Sequence, residues 1–400
     1  LATAGAAEAA GAAVDAAAAG AASFLSQPTS IINTTNAKAF FIVALLGTGG
    51  RSLAGEALAG AGVSRYKPAV TGSKQKNGEP YDWNRAQSVA RLMHAGVTFQ
   101  DETLRDGIQN PSVVDPKIED KLELIRLMAR LGIHLVNVGL PAASPRNFQD
   151  SELGCRMIVD ERLAIRPVMA ARTVVSDIVP IAEIQQRVGI PCVAYAFIGT
   201  SEIRKLAESW DIGLIVERST EAIAFAVKEG VEVAYVTEDT TRAHPETLRE
   251  IWKSALETGA KRLCLADTVG HATRDGVRNL VVFTRALIDE TGIDDVGLDW
   301  HGHNDRGLAL DNALWALEYG IDRIHGCALG IGERTGNTPM ELLLLNLWLQ
   351  GELELGDPSA LDRYCEVAAR GCKWSGRRLS SDRSASEWRG LLATPEPTGG

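Results

Sequence analysis

The sequence predicts a (β/α)8 TIM barrel, and three observations carry the prediction. Eight short apolar runs fall between residues 97 and 328. Each is followed by a stretch of helical length, all within about 250 residues, the usual size of such a barrel. Five of the eight runs end in dense polar clusters, where barrel enzymes place their reactive groups. An open doubly wound sheet is the alternative, but it rarely uses eight such repeats.

Taken in order, strands are expected at 97–101, 134–139, 165–170, 192–198, 232–236, 262–266, 297–300 and 323–328. Helices expected between them include 116–131, 216–229, 244–258, 274–289, 308–319 and 338–349, with a further one at 359–370. In the first helix Leu122, Ile125, Leu127 and Met128 recur at helical spacing, as a barrel-facing stripe requires. Pro116 and Pro245 sit in expected first helical turns, where a missing N–H is tolerated.

The chain then divides into three parts. Residues 1–75 form an Ala/Gly-rich extension, expected to be flexible: fourteen of the first 22 residues are Ala and three are Gly. Its first basic residue is Lys38, so it lacks the basic start of a secretory signal. Arg is scarce and Glu8, Asp15 and Glu56 are present, which weakens an organellar-targeting reading. Residues 81–350 hold the barrel. Residues 351–400 give a helix and then a Ser/Arg/Gly-rich solvated tail with Arg377, Arg378, Arg383 and Arg389.

Composition excludes several classes. There are 41 Lys and Arg against 51 Asp and Glu, a formal net charge of −10, which argues against a basic nucleic-acid-binding surface. The longest apolar run, 39–46, is too short to cross a bilayer. Six cysteines without a C-x-x-C pair make neither a disulfide framework nor a zinc ribbon. They read as reduced core residues, with the cytoplasm as the default compartment.

The polar clusters carry the chemistry. They are D-E-T-L-R-D-G-I-Q (101–109), T-E-D-T (237–240), D-T-V-G-H (267–271), H-G-H-N-D (301–305) and G-I-G-E-R-T-G-N (330–337). The H-x-H pair is the sharpest. Residues i and i+2 of a strand point the same way, so His301 and His303 aim both imidazoles at one point, with Gly302 leaving room between them. Two imidazoles and one carboxylate make a facial set for a divalent metal with open positions for substrate. Asp106 is the chosen carboxylate, and Asn337 offers a further oxygen. Arg105, beside it, suits a carbonyl oxygen or carboxylate. Glu238 and Thr268 face the same mouth. Glu238 either touches substrate or orients Arg105 or a histidine. Gln109 closes the first cluster and is assigned to substrate binding. The loop with Gly332, Glu333 and Gly336 either brings backbone amides to an anion or shapes a tight turn beside the metal. His94, His134 and His244 read as structural or exposed. His271 and His325 are candidates for contact with the metal ligands.

Together with A-A-S-P (142–145), these motifs resemble the 2-isopropylmalate synthases, a group allied with homocitrate and citramalate synthases and hydroxymethylglutaryl-CoA lyase. The resemblance covers about 97–350. It implies that Asp106, His301 and His303 ligate Mg, Mn or Zn, with Asn337 adjacent or ligating. It implies that Arg105 polarises a 2-oxo acid carbonyl, Thr268 holds its carboxylate and Glu238 organises the site. The implied reaction is a Claisen-type condensation of acetyl-CoA with a 2-oxo acid in a homodimer, driven by thioester hydrolysis.

The chain departs from the family at Asn137, where a Glu is common, at Tyr195, where a substrate-pocket His is common, and at Val236, where a small hydroxyl is common. No histidine follows His325, so the family's C-terminal G-[IV]-H base is missing and a truncated or frame-disrupted chain is expected. A 3-hydroxy-acyl-CoA lyase is the runner-up, suggested by R-D-G-I-Q-N (105–110), although lyases carry a Cys-containing loop after strand eight. Biotin-dependent carboxyltransferases share the fold but need a Lys ligand, absent from the ends of strands four to six. A catalytically silent barrel is the third reading.

Overall fold

The computed structural model describes residues 93–374. Eight parallel strands close into a barrel in sequence order. They are β1 (Thr98–Asp101), β2 (Leu135–Asn137), β3 (Arg166–Arg172), β4 (Val193–Gly199), β5 (Glu232–Glu238), β6 (Arg262–Asp267), β7 (Gly297–Gly302) and β8 (Arg323–Gly326). The ring closes where β8 pairs with β1, from Thr98 opposite Arg323 to Asp101 opposite Gly326. Among the described residues the α-helices are α1 (Ile118–Leu131), α2 (Pro145–Asp160), α3 (Val175–Val188), α4 (Glu202–Glu208), α5 (Ile212–Lys228), α6 (Pro245–Thr258), α7 (Arg274–Thr291), α8 (Ala309–Glu318), α9 (Met340–Leu349) and α10 (Ala360–Gly371). None of them is long and apolar enough to cross a membrane.

The fold is the (β/α)8 barrel expected from the sequence, with shifted bounds. β2 is shorter than 134–139, because Gly139 turns the chain at φ +143° before Pro141 opens a 3-10 turn. β8 stops at Gly326, and a 3-10 turn follows at Ala328–Gly330. β7 runs past 300, because Ala266 and Asp267 of β6 continue to pair with His301 and Gly302. Pro116 lies ahead of α1, whereas Pro245 occupies the first turn of α6. The extension at 1–75 and the tail after 374 lie outside the described residues.

Two apolar layers hold the barrel. Leu124, Ile125, Leu127, Met128 and Leu131 are the buried face of α1, each contributing about 1.5–3 kcal/mol by burial. Gly132, at φ 84°, ends that helix in the left-handed conformation that disfavours a Cβ. The same outer layer holds Phe99, Trp252 and Trp300. Inside the barrel, Leu135, Val168, Val193, Tyr195, Ala234 and Cys264 form a separate plug. Strand alternation then points the next inward side chains into the barrel's C-terminal end.

Candidate active site

A cavity of about 320 Å³ opens there, lined by residues of β3 to β8 together with the segments that follow β1, β2, β4, β6, β7 and β8. Three side chains meet at its base. His301 Nε2 and His303 Nε2 are 3.2 Å apart. Asp106 Oδ2 lies 3.3 Å from the first and 3.6 Å from the second. All three residues are buried, and among the described residues they are the one group of three or more that could hold a metal ion. Bonds of about 2.1 Å place neighbouring donors about 3.0 Å apart in an octahedral set and about 3.4 Å apart in a tetrahedral one. The observed spacings fit both.

The electrostatics suit a cation. Burial alone would raise the Asp106 carboxyl, but Arg105 and the two imidazoles hold it well below its ordinary value. Burial pushes His303 down to about 3, so its ring is neutral and offers a lone pair. Asn337 Nδ2 donates to Asp106 Oδ2, while Asn337 Oδ1 is buried without a hydrogen-bond partner. Asn337 therefore braces the carboxylate and keeps a free acceptor beside it. Gly302 serves a different purpose from the expected one. It faces away from the imidazoles, and a Cβ there would lie 2.9 Å from Trp300 Nε1.

Arg105 is held by Glu102, not by Glu238. Glu102 Oε2 accepts from Arg105 Nε at 2.9 Å and Nη2 at 2.7 Å, and Arg105 Nη1 donates to Asp106 Oδ1 at 3.1 Å. Gln100 and Asn137 also donate to Glu102. Asn137 is thus a donor to a buried carboxylate, a role that a Glu at 137 would replace with like-charge repulsion.

The remaining expected site residues divide. Glu238 lines the cavity; burial raises its carboxyl and the Arg204 guanidinium opposes that rise. Thr268 also lines the cavity, and its Oγ1 accepts from the Asp239 N–H at 2.7 Å. Gln109 and Glu333 border the opening. A Cβ at Gly332 would overlap Asn337 Oδ1, so this glycine lets Asn337 reach Asp106. Gly336, at φ +98°, accepts from the Asn304 N–H at 2.8 Å and ties two loops together. Tyr195 presents its ring to the cavity, but its hydroxyl turns away, donating to Asp299 Oδ2 at 2.6 Å and accepting from Arg323 Nη1 at 2.8 Å. It is a floor, not a hydrogen-bonding ligand. His325 touches His301, whereas His271 lines a different groove.

Sequence reasoning missed Glu102, Asp299 and Arg204. Asp299 was within reach, since the alternation that joins His301 and His303 also places 299 inward.

The HMGL-like family model matches residues 96–368. The chain belongs to the HMGL-like family. Among curated relatives, the probable 2-isopropylmalate synthase of Methanopyrus kandleri is 35% identical over 262 residues, covering 65% of this chain and 49% of the relative. The mitochondrial homocitrate synthase of Schizosaccharomyces pombe is 31% identical over 288 residues, covering 72% of this chain and 65% of the relative. This HMGL-like chain spans about half the length of the first of them. Among solved structures, hydroxymethylglutaryl-CoA lyase from Pseudomonas aeruginosa aligns with a TM-score of 0.59 at 20% identity, over 75% of this chain and 99% of that one, and shows the same fold. The resemblance read from the motifs therefore holds at the level of the family.

Proposed function

We propose that this chain carries the metal-dependent barrel of an acyl-CoA-condensing enzyme of the 2-isopropylmalate synthase type. Its reaction is a Claisen-type condensation of acetyl-CoA with a 2-oxo acid, 2-oxoisovalerate being favoured: a base takes a methyl proton from acetyl-CoA, the enolate adds to the ketone, and water cleaves the thioester to give the 2-isopropylmalate of leucine biosynthesis and the free CoA thiol. The observation that carries the reading is the meeting of Asp106, His301 and His303 beside Arg105 at the base of one cavity. A divalent cation held by those three residues supplies Lewis acidity and fixed positive charge.

The chain's own residues do the rest. Arg105, steadied by Glu102, donates to the ketone oxygen as it gains charge when the acetyl-CoA enolate attacks the carbonyl carbon. Thr268 keeps its hydroxyl proton for the substrate carboxylate, since its oxygen is the acceptor towards Asp239. Leu140, Phe197 and Val236 wall the cavity above the ring of Tyr195, which suits a short apolar side chain. Glu238, Arg204, Gln109 and Glu333 line the cavity, and the proposal assigns Gln109 and the loop with Gly332, Glu333 and Gly336 to the side from which acyl-CoA approaches. A homodimer belongs to the same proposal. The lyase reading would want a reactive thiol near this loop, but Cys327 is fully buried and burial holds its thiol well above the ordinary range.

Thiol release from acetyl-CoA tests the proposal, with 2-oxoisovalerate, pyruvate, 2-oxoglutarate and glyoxylate each supplied with and without divalent metal. Release that requires both the metal and one 2-oxo acid supports it. No release with any of them, from protein that holds metal, favours the silent barrel.

A further inference from the structure

Beneath the metal centre lies a buried polar network that the proposed reaction does not use. Asp299 is fully buried inside the barrel. Its Oδ1 accepts from Arg262 Nε at 2.7 Å and its Oδ2 from the Tyr195 hydroxyl at 2.6 Å. Arg323 Nη1 stands 3.7 Å from Oδ2. Two guanidiniums and a phenol thus hold one carboxylate in place. His325, equally buried, links it upward: its Nε2 lies 3.4 Å from Asp299 Oδ2, and its Nδ1 lies 3.3 Å from His301 Nδ1.

These contacts dictate a direction. His301 Nε2 faces Asp106 and His303, so binding a cation there needs its lone pair on Nε2 and its proton on Nδ1. That proton points at His325 Nδ1, which must then accept. His325 consequently carries its proton on Nε2, the atom facing the Asp299 carboxylate. The Asp299 charge, 3.4 Å from His325 Nε2 but without hydrogen-bond geometry, favours this arrangement over the opposite one, in which His325 Nδ1 would carry a proton towards Glu102 Oε1 at 3.7 Å. His303 has no neighbour of this kind: its Nδ1 is buried with no hydrogen-bond partner, whereas His301 Nδ1 meets the His325 ring. The two ligand histidines are therefore unequal: the Nδ1 of His301 has a partner ring and that of His303 has none.

We propose that Asp299 and His325 are positioning residues that fix the tautomer and ring plane of His301, so that its Nε2 lone pair is presented to the cation. The inference rests on the metal-centre reading above. A purely structural role would explain burial and stability, but not a tautomer or a metal affinity.

The test has two readouts on the full chain. Long-range proton–nitrogen NMR on protein labelled at histidine nitrogens reads the tautomers without metal; His301 is expected to be protonated at Nδ1 and His325 at Nε2. Competition with a chelator reads Mn2+ affinity. His325→Leu removes both contacts and is expected to weaken Mn2+ binding by about 10–100-fold. His325→Gln keeps an acceptor towards His301 and a donor towards Asp299, and is expected to recover most of that loss. Should His325→Leu fail to fold, the wild-type tautomers and His325→Gln decide. His301 protonated at Nε2, or equal affinity in His325→Leu and wild type, would overturn the inference while leaving the metal centre standing. Wild-type protein that takes up no Mn2+ would overturn the metal centre itself, and this inference with it.

Discussion

Glu102 Oε2 accepts two hydrogen bonds from Arg105, from Nε at 2.9 Å and from Nη2 at 2.7 Å. This fork fixes the plane of the guanidinium beside Asp106, and both carboxylates are held below their ordinary values because Arg105 and the neighbouring imidazoles together outweigh the burial that would raise them. Arg105→Lys keeps the charge but loses the fork. It is expected to lower the metal-dependent release of thiol by about 10²–10³-fold, the usual cost of losing one donor to a developing oxyanion. Metal content is expected to be unchanged. Glu102→Gln is expected to give a smaller loss in the same direction. Steady-state rates with metal analysis on the same samples check both.

Tyr195 is expected to matter for stability through its hydroxyl. Tyr195→Phe leaves Asp299 Oδ2 and Arg323 Nη1 without the bonds they make to it at 2.6 and 2.8 Å. The expected loss is about 1–3 kcal/mol, the cost of leaving buried polar groups unpaired. Denaturant unfolding measures it. An unchanged midpoint would mean that the phenol adds nothing to the network beneath the cavity.

Glu341, at the start of α9, gives a pH dependence of known sign. It is fully buried, and burial pushes its carboxyl up from 4.5 to about 7. One oxygen accepts from the Leu329 N–H at 2.8 Å and the other has no partner. Its pKa is higher folded than unfolded, so the folded state holds the extra proton between about pH 4.5 and pH 7. The stability associated with this group is fully present below that window and falls as pH rises through it. Glu341→Gln is expected to stabilise by under about 1 kcal/mol at pH 5 and by up to about 3 kcal/mol at pH 8. Thermal melts of both proteins at the two pH values give the comparison. Equal melting differences at pH 5 and pH 8 would contradict it.

The meeting of His301 and His303 was legible in the sequence because strand alternation alone aims 301 and 303 at one point. The structure places one ligand atom from each of these histidines and one from Asp106 within 4.8 Å of one another. The barrel was legible from the repeat of apolar runs and helical stretches. What failed was local or distant. Glu102 holds Arg105 through a turn, three residues back along the chain, where neither strand nor helix period applies. Asn337 braces Asp106 across 231 residues of sequence, a contact no spacing rule reaches. Tyr195 was placed correctly in the cavity wall, but the downward direction of its hydroxyl depends on Asp299 and Arg323, which lie on other strands. The purpose of Gly302 was misread, because the crowding it relieves comes from Trp300 on the opposite face of β7.

Isothermal titration of the metal-free protein with Mn2+ is the most direct measurement of all. One equivalent is expected to bind to the wild type and none to His301→Ala, with both proteins equally folded by circular dichroism. Retention of the same stoichiometry and affinity by His301→Ala would mean that the cation, if any binds, sits elsewhere, and that Asp106, His301 and His303 are not its ligands.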